Sequence, residues 1–412
     1  MGKTSSTRAF VLSRAYSPMV YAWSFDDSNI ESFIAEIIVD GVRVSASSVQ
    51  SDKNTTNDFT LNISDVCQDN LDFILNPINS SGVISNTDGV KIVRVKIYLV
   101  ILNTITKLLE TNYDPANNNN TSYDYYFDEI NAYNWSSSML NTFPHDWNQW
   151  NLNGVTKRFL NDTAYSKDIE LNKDEFLGIL YHTNITAKNF KVEILTYNSL
   201  NAVLNTDYID INEWNTTNSA PLDRPLNSYI DLSIGTKNLI NEGVSLTNVA
   251  YYTIQVINDD GKMSEIKRFN IVGSCDTDTR VHWVNKYGKQ DSYTFKGNVI
   301  ESKEYKSNNF QKATKLFSNS AGLSYSSDAR GVTSIQNVYN QNFTVYSKSI
   351  GRDTRNFLLS LLDNNTAWVE IENNYYPIII ENGTKLVKDE NNMPFQFVLN
   401  YSFANPSKGL KG

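Results

Sequence analysis

The sequence predicts a mainly β protein, with several β-sandwich-like domains and a smaller α+β domain at the C-terminal end. Three observations predict it. Aromatic residues make up 12% of the chain, with 24 Tyr and 19 Phe, and such side chains suit a pleated, half-buried surface. Much of the polarity comes from Asn, Ser and Thr rather than from charge, so turn-forming residues are abundant. Between those turns, short runs of alternating or continuously apolar residues recur. At 412 residues the chain has room for two to four domains of roughly 100–200 residues each.

The first domain, a β-sandwich, is expected over residues 1–110. "MVYAWSF" (19–25) and "SFIAEIIVDGVRVSAS" (32–47) read as strands, the latter folded at Asp40-Gly41, a strong hairpin signal. "DFTLNISDVCQDNLDFI" (58–74) begins as an alternating strand and turns to a helical rhythm. "GVKIVRVKIYLVIL" (89–102) alternates and then becomes continuously apolar, as a strand buried on both faces does.

Residues 111–165 form an aromatic and Asn-rich insert. A segment so rich in Tyr and Trp is expected to order by contact rather than stay disordered. Tyr125, Tyr126, Trp135, Trp147 and Trp150 are its candidate interface residues, since Tyr and Trp dominate interface hot spots. A second β-sandwich-like domain follows at 166–300. Its strands are "KNFKVEILTYN" (188–198), "VAYYTIQVIN" (249–258) and "SEIKRFNIVG" (264–273), the last two joined through Gly261.

The α+β domain is expected at 301–412. "GRDTRNFLLSLLDNN" (351–365) reads as an amphipathic helix with Phe357, Leu358, Leu361 and Leu362 on one face. Asp353 or Thr354 is its expected N-cap. Strands follow at "AWVEI" (367–371), "YYPIIIE" (375–381), "TKLVK" (384–388) and "FQFVLNYSFA" (395–404). Turns are placed at Asn373-Asn374 and at Glu381-Asn382-Gly383.

Composition also excludes classes of function. A net charge of -9 gains nothing from counterion release on a polyanion, which argues against coating a nucleic acid. Only Cys67 and Cys275 occur, which rules out a disulfide framework and a four-thiolate zinc site; both are expected to be buried, reduced thiols. The early run "AFVLSRAYSPMVYAW" is interrupted by Arg14 and Pro18 and is not expected to be a signal peptide. No apolar stretch approaches the ~20 residues that span a bilayer. "MGKTSS" fits the myristoylation pattern and is read as chance.

Catalytic motifs are missing. There is no GxSxG elbow, no phosphate-binding GxxxxGK[ST] and no dinucleotide glycine pattern. His145, His182 and His282 come from three separate segments and lack metal-ligand spacing. Asp124, Asp128, Glu129 and Asp146 could be proposed as a hydrolytic pair, but 45 acidic residues make such a pairing uninformative. The chain is not expected to be an enzyme or to use a cofactor.

The stretch that looks most chemical is "CDTDTRVHWVNKYGKQDSYTFKG" (275–297). It reads as a hairpin: "RVHWVN" alternates, "KYGK" turns, and "DSYTF" returns with Tyr293 and Phe295 on one face. Arg280, Trp283, Asn285 and Gly288 are its structural residues. Trp283 is expected in a core, with Arg280 or Asn285 holding a neighbouring loop through backbone hydrogen bonds.

The same hairpin is similar to a segment of structural tail and neck proteins of Bacteroidetes phages, including crAss-like phages. There an Arg, a Trp-x-Asn and a Gly precede an aromatic strand. "SRAYSPMVYAW", "IIVDG" and "FTLNISDVCQDNL" near the start resemble this group too, as does the order "RNFLLSLLDNN", "AWVEI", "YYPIII", "VLNYSFANP" near the end. The three patches cover about half the chain. The resemblance implies a virion component of the tail or neck that packs with itself as a homo-oligomeric ring or collar and with other tail or neck proteins. On composition, neither a membrane nor a specific nucleic-acid partner is expected, although an acidic wall can line a passage for DNA. The competing reading is a glycan- or receptor-binding module of a tail fibre or surface adhesin, with "NAYNWSSS" and "HDWNQWN" stacking on sugars. A hydrolase of cell-wall polymer is the third, which loss of polymer cleavage in Asp124 or Asp128 variants would support.

Overall fold

The computed structural model describes residues 30–50, 58–73, 75–85, 89–102, 158–163, 165–181, 190–211, 228–259, 261–275, 278–303, 341–363, 366–381 and 395–405, and shorter strand segments between them. The chain is mainly β, and it divides into two compact units: residues 1–272 with 284–291, and residues 273–283 with 292–412. The boundaries expected at 110, 165 and 300 fall inside these units.

The first unit holds two sandwich-like cores. One lies between a seven-stranded and a three-stranded sheet. Strand Ile30–Val39 turns through Asp40 (φ 48°) and Gly41 (φ 83°) into Val42–Gln50. Two successive positive φ values define the tight hairpin turn that matches strand twist, which is why Asp-Gly sits there. Strand Val90–Leu102 is central, pairing with Ile30–Val39 on one side. On its other side lie three short segments, Leu109–Thr111, Tyr125–Tyr126 and Ile130–Tyr133, in antiparallel register. The start of the aromatic segment therefore belongs to this sheet. Phe33, Ala35, Ile37, Val93, Val95 and Ile97 fill the core against Tyr21 and Phe59. Helix Ser64–Asp69 adds Cys67, whose thiol is pushed up to about 12 by burial.

The second core lies between a six-stranded sheet and a three-stranded sheet. Lys191–Tyr197 alternates buried and half-buried residues, as a strand with one core face should. It pairs with Val203–Asp210 and with Tyr251–Asn258. The opposing sheet is Phe176–Tyr181, Ser228–Ser233 and Val83–Ser85. Val83 thus reaches from the N-terminal part of the chain into a core built mostly from residues 159–269.

The second unit is a nine-stranded sheet carrying helix Arg352–Asp363. Phe357, Leu358 and Leu361 of that helix pack on Val281, Trp283, Phe295, Val369 and Leu399. Strands Val299–Gln311 and Val332–Tyr346 pair from Val299↔Val345 to Gln311↔Val332. Strand Gln396–Phe403 joins the second of them only at 342–346. Beyond that point the pair continues as a long ribbon, joined at Val338 and Tyr339 by the short strand Ser407–Lys408, an element absent from the sequence reading.

Four local expectations are corrected. Cys275 is exposed rather than buried, because it lies in the irregular segment ahead of strand Thr279–Val284. The helix starts two or three residues early: it runs from Arg352 and Gly351 O accepts from Arg355 N at 3.0 Å, so Gly351 is the N-cap residue and Asp353 and Thr354 lie in the first turn. Leu362 is exposed, since the apolar stripe is narrower than the run of leucines suggests. The turn at 373–374 sits one residue earlier: Glu372 (φ 49°) and Asn373 (φ 60°) form it, and Ile371 pairs with Asn374.

Candidate functional site

The hairpin at 279–295 contributes to both units, and its two parts are described separately. Its tip belongs to the first unit. Asn285 N donates to Lys289 O at 2.8 Å, and Gly288 N donates to Asn285 O at 2.9 Å. Gly288 has φ 65°, so the three-residue loop Lys286-Tyr287-Gly288 is a turn closed by a left-handed residue. Only glycine takes that conformation without steric cost.

Asn285 is the hub of this tip and is almost fully buried. Its Oδ1 accepts from Tyr287 N at 2.9 Å and Lys289 N at 3.0 Å. Its Nδ2 donates to Leu160 O at 3.0 Å and Asp291 Oδ2 at 2.9 Å. The side chain therefore holds both its own turn and the 158–163 segment. Asn161 completes the arrangement from the other side, donating to Asp291 Oδ1 at 2.6 Å and accepting from Gly178 N at 2.7 Å.

Two interior cations neighbour this network. Lys289 Nζ lies 3.1 Å from Asp231 Oδ2, with both side chains buried. Burial pushes the Lys289 ammonium down from its ordinary value, and Asp231 pulls it part-way back. Lys289 reaches Asp231 by crossing Gly178, which pairs directly with Asp231. A Cβ on Gly178 would lie 2.6 Å from Lys289 Cγ, so this strand glycine marks a close approach. Lys167 Nζ makes a second buried pair with Glu175 Oε2 at 2.6 Å.

Asp291 is pushed up to about 6, first by burial and then by the Asp162 carboxylate, against the amide donors Asn161 and Asn285. In the unfolded chain its value is 3.8. Between these two values the folded state holds a proton that the unfolded state has lost. Asp291 therefore adds stability as pH falls from 7 toward 4, by at most about 3 kcal/mol. Other carboxylates act in the opposite sense at low pH, so the comparison is with Asp291→Asn. The wild type is expected to gain on this variant in urea unfolding at pH 4.5 relative to pH 7. A difference that does not change with pH contradicts this.

The stem belongs to the second unit. Trp283 is fully buried, 5.1 Å from the Phe357 ring, and its Nε1 donates to Ser360 Oγ at 3.0 Å. Arg280 is on the other face of the strand. It donates from Nη1 to Thr294 Oγ1 at 3.1 Å and from Nη2 to Ser292 Oγ at 2.8 Å, and its Nε is 3.4 Å from Glu370 Oε2. His282 Nε2 is 3.1 Å from the same Glu370 oxygen, and its ring meets Tyr375 edge-on at 4.8 Å. Tyr293 and Phe295 meet edge-on at 5.1 Å, with Phe295 in the core.

These side chains are the sequence's most reactive-looking group, and each is occupied in an interior contact. The backbone of Tyr125 and Tyr126 pairs with Ile97 and Lys96. Trp135, Trp147, Trp150, His145, His182, Asp124, Asp128, Glu129 and Asp146 lie outside the described residues. Among the described residues, no group of three or more His, Cys, Asp or Glu is placed to hold a metal ion. No described helix is long and apolar enough to cross a membrane. The sequence reading did not single out Asp231, Lys289, Asp291 or Glu370. A signal existed in "SYIDLS" and "FLGILY", where an acid and a glycine interrupt otherwise apolar strands.

No protein-family model matches the chain, and no curated protein matches it. Among solved structures, trypsin-activated alpha-2-macroglobulin from Escherichia coli aligns over 98% of this chain and 21% of its own, at 6% identity and a TM-score of 0.17. The plexin A4 extracellular region aligns over 98% of this chain and 40% of its own, at 7% identity and a TM-score of 0.17. A marsupial T cell receptor aligns over 82% of this chain and 95% of its own, at 9% identity and a TM-score of 0.16. The chain thus spans about a fifth and two fifths of the first two. Similarities of this size carry no argument about function.

Proposed function

We propose that this chain is a structural protein of a phage virion, located in the tail or neck, that assembles through protein–protein packing into an oligomeric ring or collar. The observation that carries this reading is the fate of the 279–295 hairpin. Its Arg, His, Trp, Asn, Lys and Asp are buried and bonded to the fold, leaving them to shape and rigidity rather than to a substrate. That hairpin also carries the resemblance to phage tail and neck proteins. Its partners on this reading are further copies of itself and neighbouring tail or neck proteins. The net charge of -9 suits a wall past which DNA slides without adhering.

The glycan-binding alternative rests on the Trp and Tyr residues of 111–165, and one experiment separates the two. In a Trp147→Ala, Trp150→Ala double variant, the assembly reading expects loss of the assembled species at unchanged circular dichroism. The glycan reading expects unchanged native mass and loss of retention on a glycan array.

A further inference from the structure

We infer that segment 75–85 is a clasp: it closes the outer side of strand Ser228–Ser233, opens without unfolding the sandwich behind it, and while closed keeps that side from pairing with other chains. This does not depend on the assembly reading above. The chain leaves the first core after helix Ser64–Asp69 and returns to it at strand Val90–Leu102. Between those two elements it lends the second core one residue, Val83.

The covered strand needs a cover. Ser228–Ser233 pairs along its whole length with Phe176–Tyr181. On its other side, among the described residues, it pairs only through Ile230, Asp231 and Leu232, with Ser85, Ile84 and Val83. Its sequence, "SYIDLS", contains neither Pro nor Lys and sets Tyr, Ile and Leu in the strand. A bare edge of that kind is a template for another strand. With the clasp in place, Ile230, Asp231, Leu232 and Ser233 are all buried. Ile84 lies opposite Asp231, the acid paired with Lys289, so an open clasp would bare the strand beside that pair.

The clasp is held mainly by polar contacts. Ser80 O accepts from Asn238 Nδ2 at 2.8 Å, and Asn79 N donates to Asp174 Oδ2 at 3.2 Å. Asn79 O accepts from Asn241 Nδ2 at 3.3 Å, Asn76 N donates to Gln290 Oε1 at 3.0 Å, and Gly82 O accepts from Ser233 N at 2.9 Å. Of residues 75–84, only Asn76 and Val83 are buried. A segment with so few buried apolar contacts is the kind that opens locally, below the cost of global unfolding. Gly82 is its weak point. Its φ is 68°, and a Cβ there would lie 3.3 Å from Glu242 Oε1, so alanine strains the clasp and little else.

The test compares three full chains in a Cys275→Ser background, since Cys275 is the exposed thiol. They are the background itself, a Gly82→Ala, Val83→Thr variant, and that variant with Ser80→Cys and Ser233→Cys, whose hydroxyl oxygens are 3.3 Å apart, oxidised to lock the clasp shut. Hydrogen exchange and native mass by light scattering are read on each. In the unlocked variant, exchange should quicken roughly tenfold at 75–85 and 228–233, with no change at 190–197. Its mass should rise above the background protein's and grow with concentration. The locked protein should return to background values in both. Exchange that quickens equally at 190–197 overturns the inference, because the segment is then an inseparable part of the core. Exchange unchanged at 228–233 overturns local opening. Faster exchange there at unchanged mass, or association that persists in the locked protein, overturns the guarding role.

Discussion

Replacing Asp231 by alanine is expected to destabilise the first unit by about 3–5 kcal/mol, because it leaves the Lys289 ammonium buried without its counter-charge. Lys289 is fully enclosed, its Nζ 3.1 Å from Asp231 Oδ2, and its stem lies over Gly178. The pair itself is a modest asset. Only one Asp231 oxygen meets the ammonium, and Oδ1 makes no hydrogen bond, so the cost of desolvating both charges is poorly offset. The double variant Asp231→Leu, Lys289→Met should therefore recover most or all of the loss. Hydrogen exchange of peptides from 190–197 and 228–233, followed through a urea titration, reads the first unit directly. A double variant no better than Asp231→Ala would show that the pair is held by more than its own charges.

Trp283→Ala should cost the second unit about 3–5 kcal/mol, the range for deleting a large buried aromatic. The indole is fully enclosed against Phe357, and the Nε1 bond to Ser360 fixes it to the helix. Alanine leaves a cavity and takes away the donor to Ser360 Oγ, whose hydroxyl keeps its own bond to Phe357 O at 2.7 Å. Trp283→Phe should retain more than half of the lost stability, since it refills most of the volume. Exchange in the 352–363 helix reports the change; an unchanged rate in Trp283→Ala would mean that the helix docks without the indole.

Strands and hairpins were legible because their signals are local. Asp40-Gly41 announces a tight turn, and the apolar run at 89–102 announces a strand buried on both faces, as consecutive buried residues at 97–100 are. Where two adjacent residues compete for one turn, local signals mislead by a residue. Asn373 and Asn374 both suit a left-handed conformation, and the pairing of Ile371 with Asn374 decides between them by placing Glu372 in the turn instead. Cys275 fails for a related reason: a cysteine is usually buried, but this one precedes its strand.

The interior polar network was not legible, because its partners are remote in sequence. Asn161 and Asp291 are separated by 130 residues, Asn285 and Leu160 by 125, and Lys289 and Asp231 by 58. In the sequence each is an ordinary polar residue near a turn or in a strand. Only the meeting of the hairpin tip with strands 176–181 and 228–233 turns them into one group. Arg280 behaves the same way, since Ser292 and Thr294 are readable as its cross-strand neighbours and Glu370 is not.

The most direct test of the account is the native mass of the purified full chain, measured by light scattering across concentration and paired with negative-stain imaging of the same sample. The account predicts a closed ring or collar whose mass is an integral multiple of 46.8 kDa. A species that stays at the single-chain mass at all concentrations, alone and after mixing with virion neck or tail fractions, would contradict it.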